Sequence, residues 1–259
     1  MKLGLVTYNM AAAWDVDTMI KNCRETGFQG VELRTTHAHK VEESLSKHER
    51  LNVRKKFADS GIVPYGIGTV YEFHATDAKV LKDNIEGSKR AIALASDIGA
   101  EGVKVRPNAL PAGVSEEKTL EQIGLAFREV AAAGASAGVK VWMEVHGKDT
   151  CRVDRMRKIV DVAEHPNALV TWNCNTGETD DSGSVKKNFE LLKHKIGCVH
   201  IQELWDTKRY PWAEIFPLLQ SIGYKGWTSY EGPGSSDPIL VMKCYRRIWE
   251  CLQGNTAGK

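Results

Sequence analysis

The sequence lacks an excess of charge of either sign and lacks any long apolar run. It has 35 lysines and arginines against 33 aspartates and glutamates, so its formal net charge is only +2. A broad basic face for nucleic acid or for an anionic membrane surface is therefore not expected. Nowhere do about 18 apolar residues follow one another, which argues against a membrane-spanning helix. This composition suits a small-molecule partner better.

Closely spaced cysteines are also missing. The six cysteines lie far apart and include no CxxC pair. Such spacing is typical of reduced, structural thiols and not of a disulfide framework or a zinc knuckle. The first residues, MKLGLVTYNM, contain one lysine and an apolar stretch too short for a signal peptide. We therefore expect a soluble, cytoplasmic protein.

No segment rich in proline or serine and no block of charge divides the chain. We predict a single domain over residues 1–252. Residues 253–259 are predicted to be a frayed polar tail.

Short β-rich runs alternate with longer helical patterns at a pitch of about 30 residues, which indicates repeated βα units and a parallel sheet. Between the first two runs, an apolar stripe that begins at Val16 and is closed by Gly27 predicts a helix. Eight strands are predicted, near residues 3–8, 30–34, 63–70, 102–106, 139–145, 168–173, 197–202 and 226–231. Eight units in this length predict a closed (β/α)8 TIM barrel of the α/β class, with an open doubly wound sheet as the alternative.

The alternation of side chains along the strands favours the barrel. Successive residues of a strand point to opposite sides of the sheet. One side is apolar, whereas the other carries these polar pairs towards the strand ends: Glu32/Arg34, Lys104/Arg106, Glu144/His146, Thr171/Asn173, His200/Gln202 and Ser229/Glu231. Helices would bury both faces of an open sheet and leave these groups without water. In a barrel they line the C-terminal mouth, where active sites of this architecture lie, and the strand starts fill the floor with Gly30, Gly102, Trp142, Leu169 and Trp227.

Several segments at the strand ends carry a family resemblance: GVELRTTHAH, GVKVRPN, EVHG, WNCN, VHIQEL and YPWAEIFPLLQSIGYKGWTSYEG. Over nearly its whole length the chain resembles the sugar phosphate isomerase/epimerase group with the xylose-isomerase-like barrel. The resemblance implies a divalent metal held by a glutamate, an aspartate, a histidine and a glutamate from the fifth to the eighth strand. Glu144, His200 and Glu231 match three of these positions, but Asn173 stands where the aspartate is expected.

Two carboxylates, one imidazole and one amide oxygen suit Mn²⁺ as the foremost cofactor, with Mg²⁺, Co²⁺ and Zn²⁺ as alternatives. The missing negative charge at Asn173 predicts weaker metal binding, unless the site fills together with substrate or recruits Glu178 or Asp180. An isolated carboxylate at a strand end is more often a satisfied polar group than a ligand. Three matched positions on three strands favour a functional site, because clustered buried carboxylates are costly without a cation.

The chemistry implied is proton transfer in a hydroxy-carbonyl sugar, which needs a base beside the C–H bond and positive charge at the developing enediolate oxygen. Glu144 and Glu231, expected at opposite sides of the mouth, are the predicted catalytic pair of an epimerase, and one glutamate acting alone would give an isomerase. The same enediolate can expel a substituent. A lyase or dehydratase acting on a keto sugar or inositol-like ketone is therefore an alternative, and a non-catalytic carbohydrate-binding barrel is another. An endonuclease of the same superfamily is disfavoured, because it would need more histidines at the mouth and a basic face.

Positive charge around the mouth predicts an acidic or phosphorylated sugar as substrate. The predicted substrate-binding residues are Arg34, His37, His39, Lys104, Arg106, His146 and Gln202. For the two arginines, a salt bridge with Glu32 or Glu144 is the structural alternative. An apolar wall for the sugar ring is sought among Trp14, Tyr71, Trp205 and Trp212, although each is more often a core residue. A homo-oligomer is expected from the resemblance only.

Overall fold

A computed structural model describes residues 1–254, so most of the tail predicted from residue 253 lies outside the described residues. Within them, eight strands pair in parallel in chain order, and the last pairs with the first. The strands are β1 (Lys2–Val6), β2 (Gly30–Arg34), β3 (Val63–Glu72), β4 (Gly102–Arg106), β5 (Lys140–Glu144), β6 (Ala168–Trp172), β7 (Ile196–Ile201) and β8 (Trp227–Tyr230). The predicted closed (β/α)8 barrel is confirmed, and the open sheet is excluded.

A helix follows each strand: α1 (Val16–Thr26), α2 (Lys47–Ser60), α3 (Ala78–Ile98), α4 (Glu116–Ser136), α5 (Val153–Ala163), α6 (Lys186–Leu192), α7 (Trp212–Ser221) and α8 (Pro238–Leu252). The first of them shows why the sequence forms helices there. Asp15 caps α1 by accepting the backbone N–H of Thr18 at 2.8 Å, and Gly27 ends it with a positive φ of 78°. In residues 1–254 we find no helix long and apolar enough to cross a membrane.

The barrel wall separates two apolar regions. The larger lies between strands and helices, and the smaller is the barrel floor, built from Tyr65, Trp142, Cys198 and Trp227 with Leu169 packed against it. The rings of Tyr65 and Trp227 stack with their centroids 4.5 Å apart. A Cβ atom at Gly102 would lie only 2.6 Å from the indole of Trp142, so the glycine makes room for this ring. The floor closes the barrel from below, and a polar site inside it can open only at the C-terminal mouth.

Candidate functional site

Three strand ends bring Glu144, His200 and Glu231 together at the mouth. His200 Nδ1 lies 3.5 Å from Glu144 Oε1 and 3.3 Å from Glu231 Oε2. One ligand atom from each of the three residues lies within 4.8 Å of the others. His200 is fully buried, and Glu144 is only 3% exposed. The alternation of side chains places all three inside the barrel, and closure of the barrel brings them together at one point.

Below this point lies a partner of His200 that the sequence analysis did not identify. Glu32 of β2 is fully buried and accepts a hydrogen bond from His200 Nε2 at 2.9 Å. Gly68 of β3 makes this possible, because a Cβ atom there would lie 2.7 Å from Glu32 Oε1. The alternative in which Glu32 pairs with an arginine is not formed, because Glu32 pairs with His200. Arg34, two residues further along β2, extends to the rim and places its guanidinium 4.7 Å from the ring centroid of Tyr8.

The buried charged groups of this cluster shift one another's pKa values. Burial by itself would lower the pKa of His200, but the carboxylates of Glu32 and Glu231 raise it well above its usual value. Burial by itself would raise the pKa of Glu144, but the Lys104 ammonium and the nearby imidazole of His200 hold it well below its usual range. The buried carboxyl group of Glu144 and the buried imidazole of His200 therefore both favour their charged forms.

Two of the four predicted ligand residues carry a buried polar atom without a hydrogen bond within residues 1–254: Asn173 Oδ1, and His200 Nδ1, whose contacts with Glu144 and Glu231 are at ion-pair distance only. Asn173 follows β6 and lines the same cavity as Glu144 and Glu231. An unsatisfied buried polar atom costs about 1–3 kcal/mol, so two of them beside a pair of carboxylates need an explanation. A divalent cation held by Glu144, Asn173, His200 and Glu231 would satisfy both atoms. The donor set therefore fits such a cation.

The cluster opens into a cavity of about 390 Å³. Of the predicted substrate-binding residues, five line it: Arg34, Lys104, Arg106, His146 and Gln202. The structure also shows how they are held. Lys104 Nζ lies 2.7 Å from Glu144 Oε2, and Arg106 donates to Glu72 Oε1 at 2.8 Å. The alternative salt bridges of the arginines with Glu32 or Glu144 are thus not formed. Lys104 pairs with Glu144, and Arg106 pairs with Glu72 at the end of β3.

His37 and His39 do not line this cavity. His37 lies in a neighbouring cavity, with its Nε2 atom 3.3 Å from Arg34 Nη1. His39 is 6% exposed, and both ring nitrogens are engaged by the backbone of its own loop. Its Nε2 donates to the carbonyl of Arg34 at 2.8 Å, and its Nδ1 accepts the N–H of Val41 at 3.0 Å. The loop after β2 folds back on its strand, which a sequence pattern cannot show.

This arrangement of His39 predicts a loss of stability in acid. Burial lowers the pKa of His39 to about 4 from its usual 6.5. A second ring proton, on Nδ1, would also face the N–H of Val41. The folded-state pKa is depressed, so the stabilisation is present above pH 6.5 and is lost as the pH falls towards 4. We expect His39 to account for roughly 2 kcal/mol of lost stability between pH 7 and pH 5. Urea unfolding of the native protein and of His39→Gln at both pH values measures it, and an equal loss in the two proteins would contradict it.

Glu178 and Asp180 do not join the cluster. Glu178 is fully buried, and its carboxylate accepts the N–H of Asn173 at 2.7 Å and the hydroxyl of Tyr210 at 2.8 Å. Burial raises the pKa of Glu178 to about 8. Asp180 accepts hydrogen bonds from Ser182 and Ser184 in its own turn. Glu178 thus fixes the backbone that presents Asn173 instead of serving as a ligand.

The aromatic side of the cavity differs from the sequence expectation. Among the described residues that line the cavity, Tyr8, just beyond β1, is the one tyrosine, and the lining contains no phenylalanine or tryptophan. Trp205 packs near Tyr230, and the indole N–H of Trp212 is taken by a backbone carbonyl, while Trp14 and Tyr71 pack against the outer core. The only signal for Tyr8 in the sequence was its place at the end of a predicted strand.

Solved structures with the same fold cover nearly the whole chain. An L-ribulose 3-epimerase is 19% identical with a TM-score of 0.82, and the match covers 98% of this chain and 95% of that one. An IOLI protein with a binding zinc atom is 16% identical with a TM-score of 0.79 over 100% of both chains. A 3-keto-D-glucoside 4-epimerase from E. coli is 15% identical with a TM-score of 0.79, covering 98% of this chain and 99% of that one. At these identities the likeness establishes the fold.

Comparison with curated protein sequences finds no significant relative. The family described as xylose isomerase-like TIM barrel, in contrast, matches residues 20–245, which include seven of the eight strands and all the residues of the cluster. The chain therefore belongs to the xylose isomerase-like TIM barrel family.

Proposed function

We propose that this protein is a metal-dependent isomerase or epimerase of a sugar or sugar derivative, acting by proton transfer through an enediolate. One observation carries the proposal: Glu144 and Glu231 converge on His200 beside the unsatisfied oxygen of Asn173, at the base of a polar cavity. The L-ribulose 3-epimerase and the 3-keto-D-glucoside 4-epimerase, which share this fold, support it.

The metal would be held by Glu144, Asn173, His200 and Glu231. Mixed carboxylate, amide and imidazole ligands suit Mn²⁺ best, and the zinc atom bound by the IOLI protein supports a divalent cation at a site of this fold. When bound, such a cation supplies Lewis-acid charge to the substrate oxygens.

The two glutamates differ in how firmly they are held, which suggests how they divide the work. Glu144 is anchored by Lys104, whereas the side chain of Glu231 is 15% exposed and its ion-pair partner among the described residues is His200. Glu231 is the freer group and takes the proton from the substrate carbon. The C–H electron pair then forms the carbon–carbon double bond of the enediolate, and the carbonyl oxygen gains the negative charge. In an epimerase, Glu144 relays a proton from solvent to the other face, and the proton on Glu231 leaves to solvent. In an isomerase, Glu231 returns its proton to the adjacent carbon, while the hydroxyl proton of that carbon passes to the former carbonyl oxygen.

Basic groups at the rim indicate the substrate class. Arg34 and Arg106 both line the cavity, and each presents a guanidinium that can pair with a planar anion. His146, whose Nδ1 donates to Asn108 Oδ1 at 2.9 Å, is oriented to contact a hydroxyl group. We therefore propose a sugar that bears a carboxylate or phosphate group.

A solvent-exchange experiment tests this function. The protein loaded with Mn²⁺ is incubated in D₂O with ketoses, sugar acids, sugar phosphates and inositol ketones, and the products are analysed by mass spectrometry and NMR. We expect deuterium at one carbon of at least one substrate, together with its epimer or isomer. Exchange should stop after chelation of the metal and in Glu231→Gln. Loss of water or of another substituent would indicate a lyase, and no reaction across the panel would contradict the proposed function.

A further inference from the structure

Lys104 places a buried ammonium group within the candidate metal site. Its side chain is 5% exposed, and its Nζ atom lies 2.7 Å from Glu144 Oε2. An ammonium group has three N–H donors. Within residues 1–254, this is the single hydrogen bond that Nζ makes. Because Lys104 also lines the cavity, its remaining donors are available to a ligand.

Stability alone does not account for this lysine. A buried ion pair is expensive to remove from water, and apolar side chains of similar volume often replace one without loss of stability. The barrel floor beneath it is already filled by Trp142, which lies opposite Lys104 in the register of β4 and β5. The ammonium is therefore better explained by the charge that it brings to the mouth.

The positive charge of Lys104 opposes the binding of a metal ion at Glu144. Glu144 and Glu231 bring two negative charges to the donor set, Asn173 brings none, and Lys104 contributes one positive charge beside Glu144. A divalent cation would have to share the Glu144 carboxylate with Lys104, at a separation where like charges repel strongly. In the free protein, Lys104 and Asn173 therefore both weaken metal binding.

An anionic ligand reverses this balance. If negative charge develops on a substrate oxygen in the cavity, the free N–H groups of Lys104 can donate to it, as they would to an oxyanion. In the complex, the Lys104 ammonium group still repels the metal ion, but it also stabilises the bound anion.

We propose that Lys104 couples metal binding to the binding of an anionic substrate: it keeps the metal weakly held in the free protein and contributes a hydrogen bond to the substrate oxyanion in the complex. The substrate part of this coupling rests on the proposed function, whereas the effect on the metal follows from the contact with Glu144.

Calorimetric titration of the metal-free full-length protein with Mn²⁺ alone tests the first part. Lys104→Met should bind Mn²⁺ at least about tenfold more tightly than the native protein, because a repelling charge is removed. Asn173→Asp adds one negative charge without touching Lys104, and it should tighten binding in the same direction. Lys104→Arg keeps the positive charge and should stay close to the native affinity. Lys104→Gln, which keeps a hydrogen bond to Glu144, replaces the methionine variant if that protein does not fold.

Oxalate, a planar dianion that resembles the two oxygens of an enediolate, tests the second part. With saturating Mn²⁺, the native protein should bind oxalate at least about tenfold more tightly than Lys104→Met. Equal or weaker Mn²⁺ binding by Lys104→Met and Lys104→Gln would overturn the proposed coupling, and so would equal oxalate binding. If native protein and Asn173→Asp both fail to bind Mn²⁺, the metal dependence in the proposed function falls as well, which separates the two failures.

Discussion

Replacing His200 with alanine is expected to abolish stoichiometric metal binding and to lower the free energy of unfolding by roughly 3–5 kcal/mol. The imidazole lies between Glu32 on one side and Glu144 and Glu231 on the other. Without it, the fully buried Glu32 loses its hydrogen-bond donor, and Glu144 keeps its ion pair with Lys104 while both glutamates at the mouth lose the imidazole. Elemental analysis after dialysis against Mn²⁺ and urea unfolding at pH 7 measure the two effects.

Glu32→Gln is the matched control for this variant. Glutamine can still accept a hydrogen bond from His200 Nε2 at the 2.9 Å contact, so the ring keeps its orientation while the buried charge is removed. Metal affinity should fall about 10- to 100-fold, as for other outer partners of a ligating histidine, and the fold should remain intact. Full metal content in His200→Ala would show that the cation is held elsewhere and that the donor set proposed for this mouth is wrong.

Replacing Trp142 with alanine should destabilise the fold by about 3–5 kcal/mol, the usual range for removing a large buried aromatic side chain. This indole is fully buried in the barrel floor, and the glycines at positions 66, 102 and 197 leave the space that it occupies. These three glycines have no side chain that could move into the resulting cavity. Urea unfolding monitored by far-UV circular dichroism measures the loss.

Trp142→Phe is the control for the size of the side chain. Phenylalanine keeps most of the aromatic contact with Tyr65, whose ring centroid lies 6.3 Å from that of Trp142, so the loss should be clearly smaller. A loss below about 1 kcal/mol in Trp142→Ala would mean that the floor can collapse around the gap, contrary to the packing described here.

The candidate site was predictable where it depended on strand alternation. Glu144 and Lys104 lie on adjacent strands and were both assigned to the inside of the barrel, and they meet there as an ion pair. The loops were less predictable. His39 follows β2 in the sequence and was expected to reach the substrate, yet its loop turns back and uses both ring nitrogens internally. A loop's path depends on contacts with distant residues, and no short periodicity records it.

By itself, the sequence determined the eight βα units and the inward-facing side of six of their strands, and its strand-end motifs carried the resemblance to the family. The units and the facing sides depend on local periodicities of two residues within a strand and of about 30 residues between units. The tertiary structure alone decided which inward-facing groups touch. Closure of the barrel brings Glu32 of β2 against His200 of β7, and Tyr65 of β3 within 2.6 Å of Ser229 of β8. Such contacts join residues more than 160 positions apart, and they arise because the strands curve around one axis and their inner side chains share one enclosed volume.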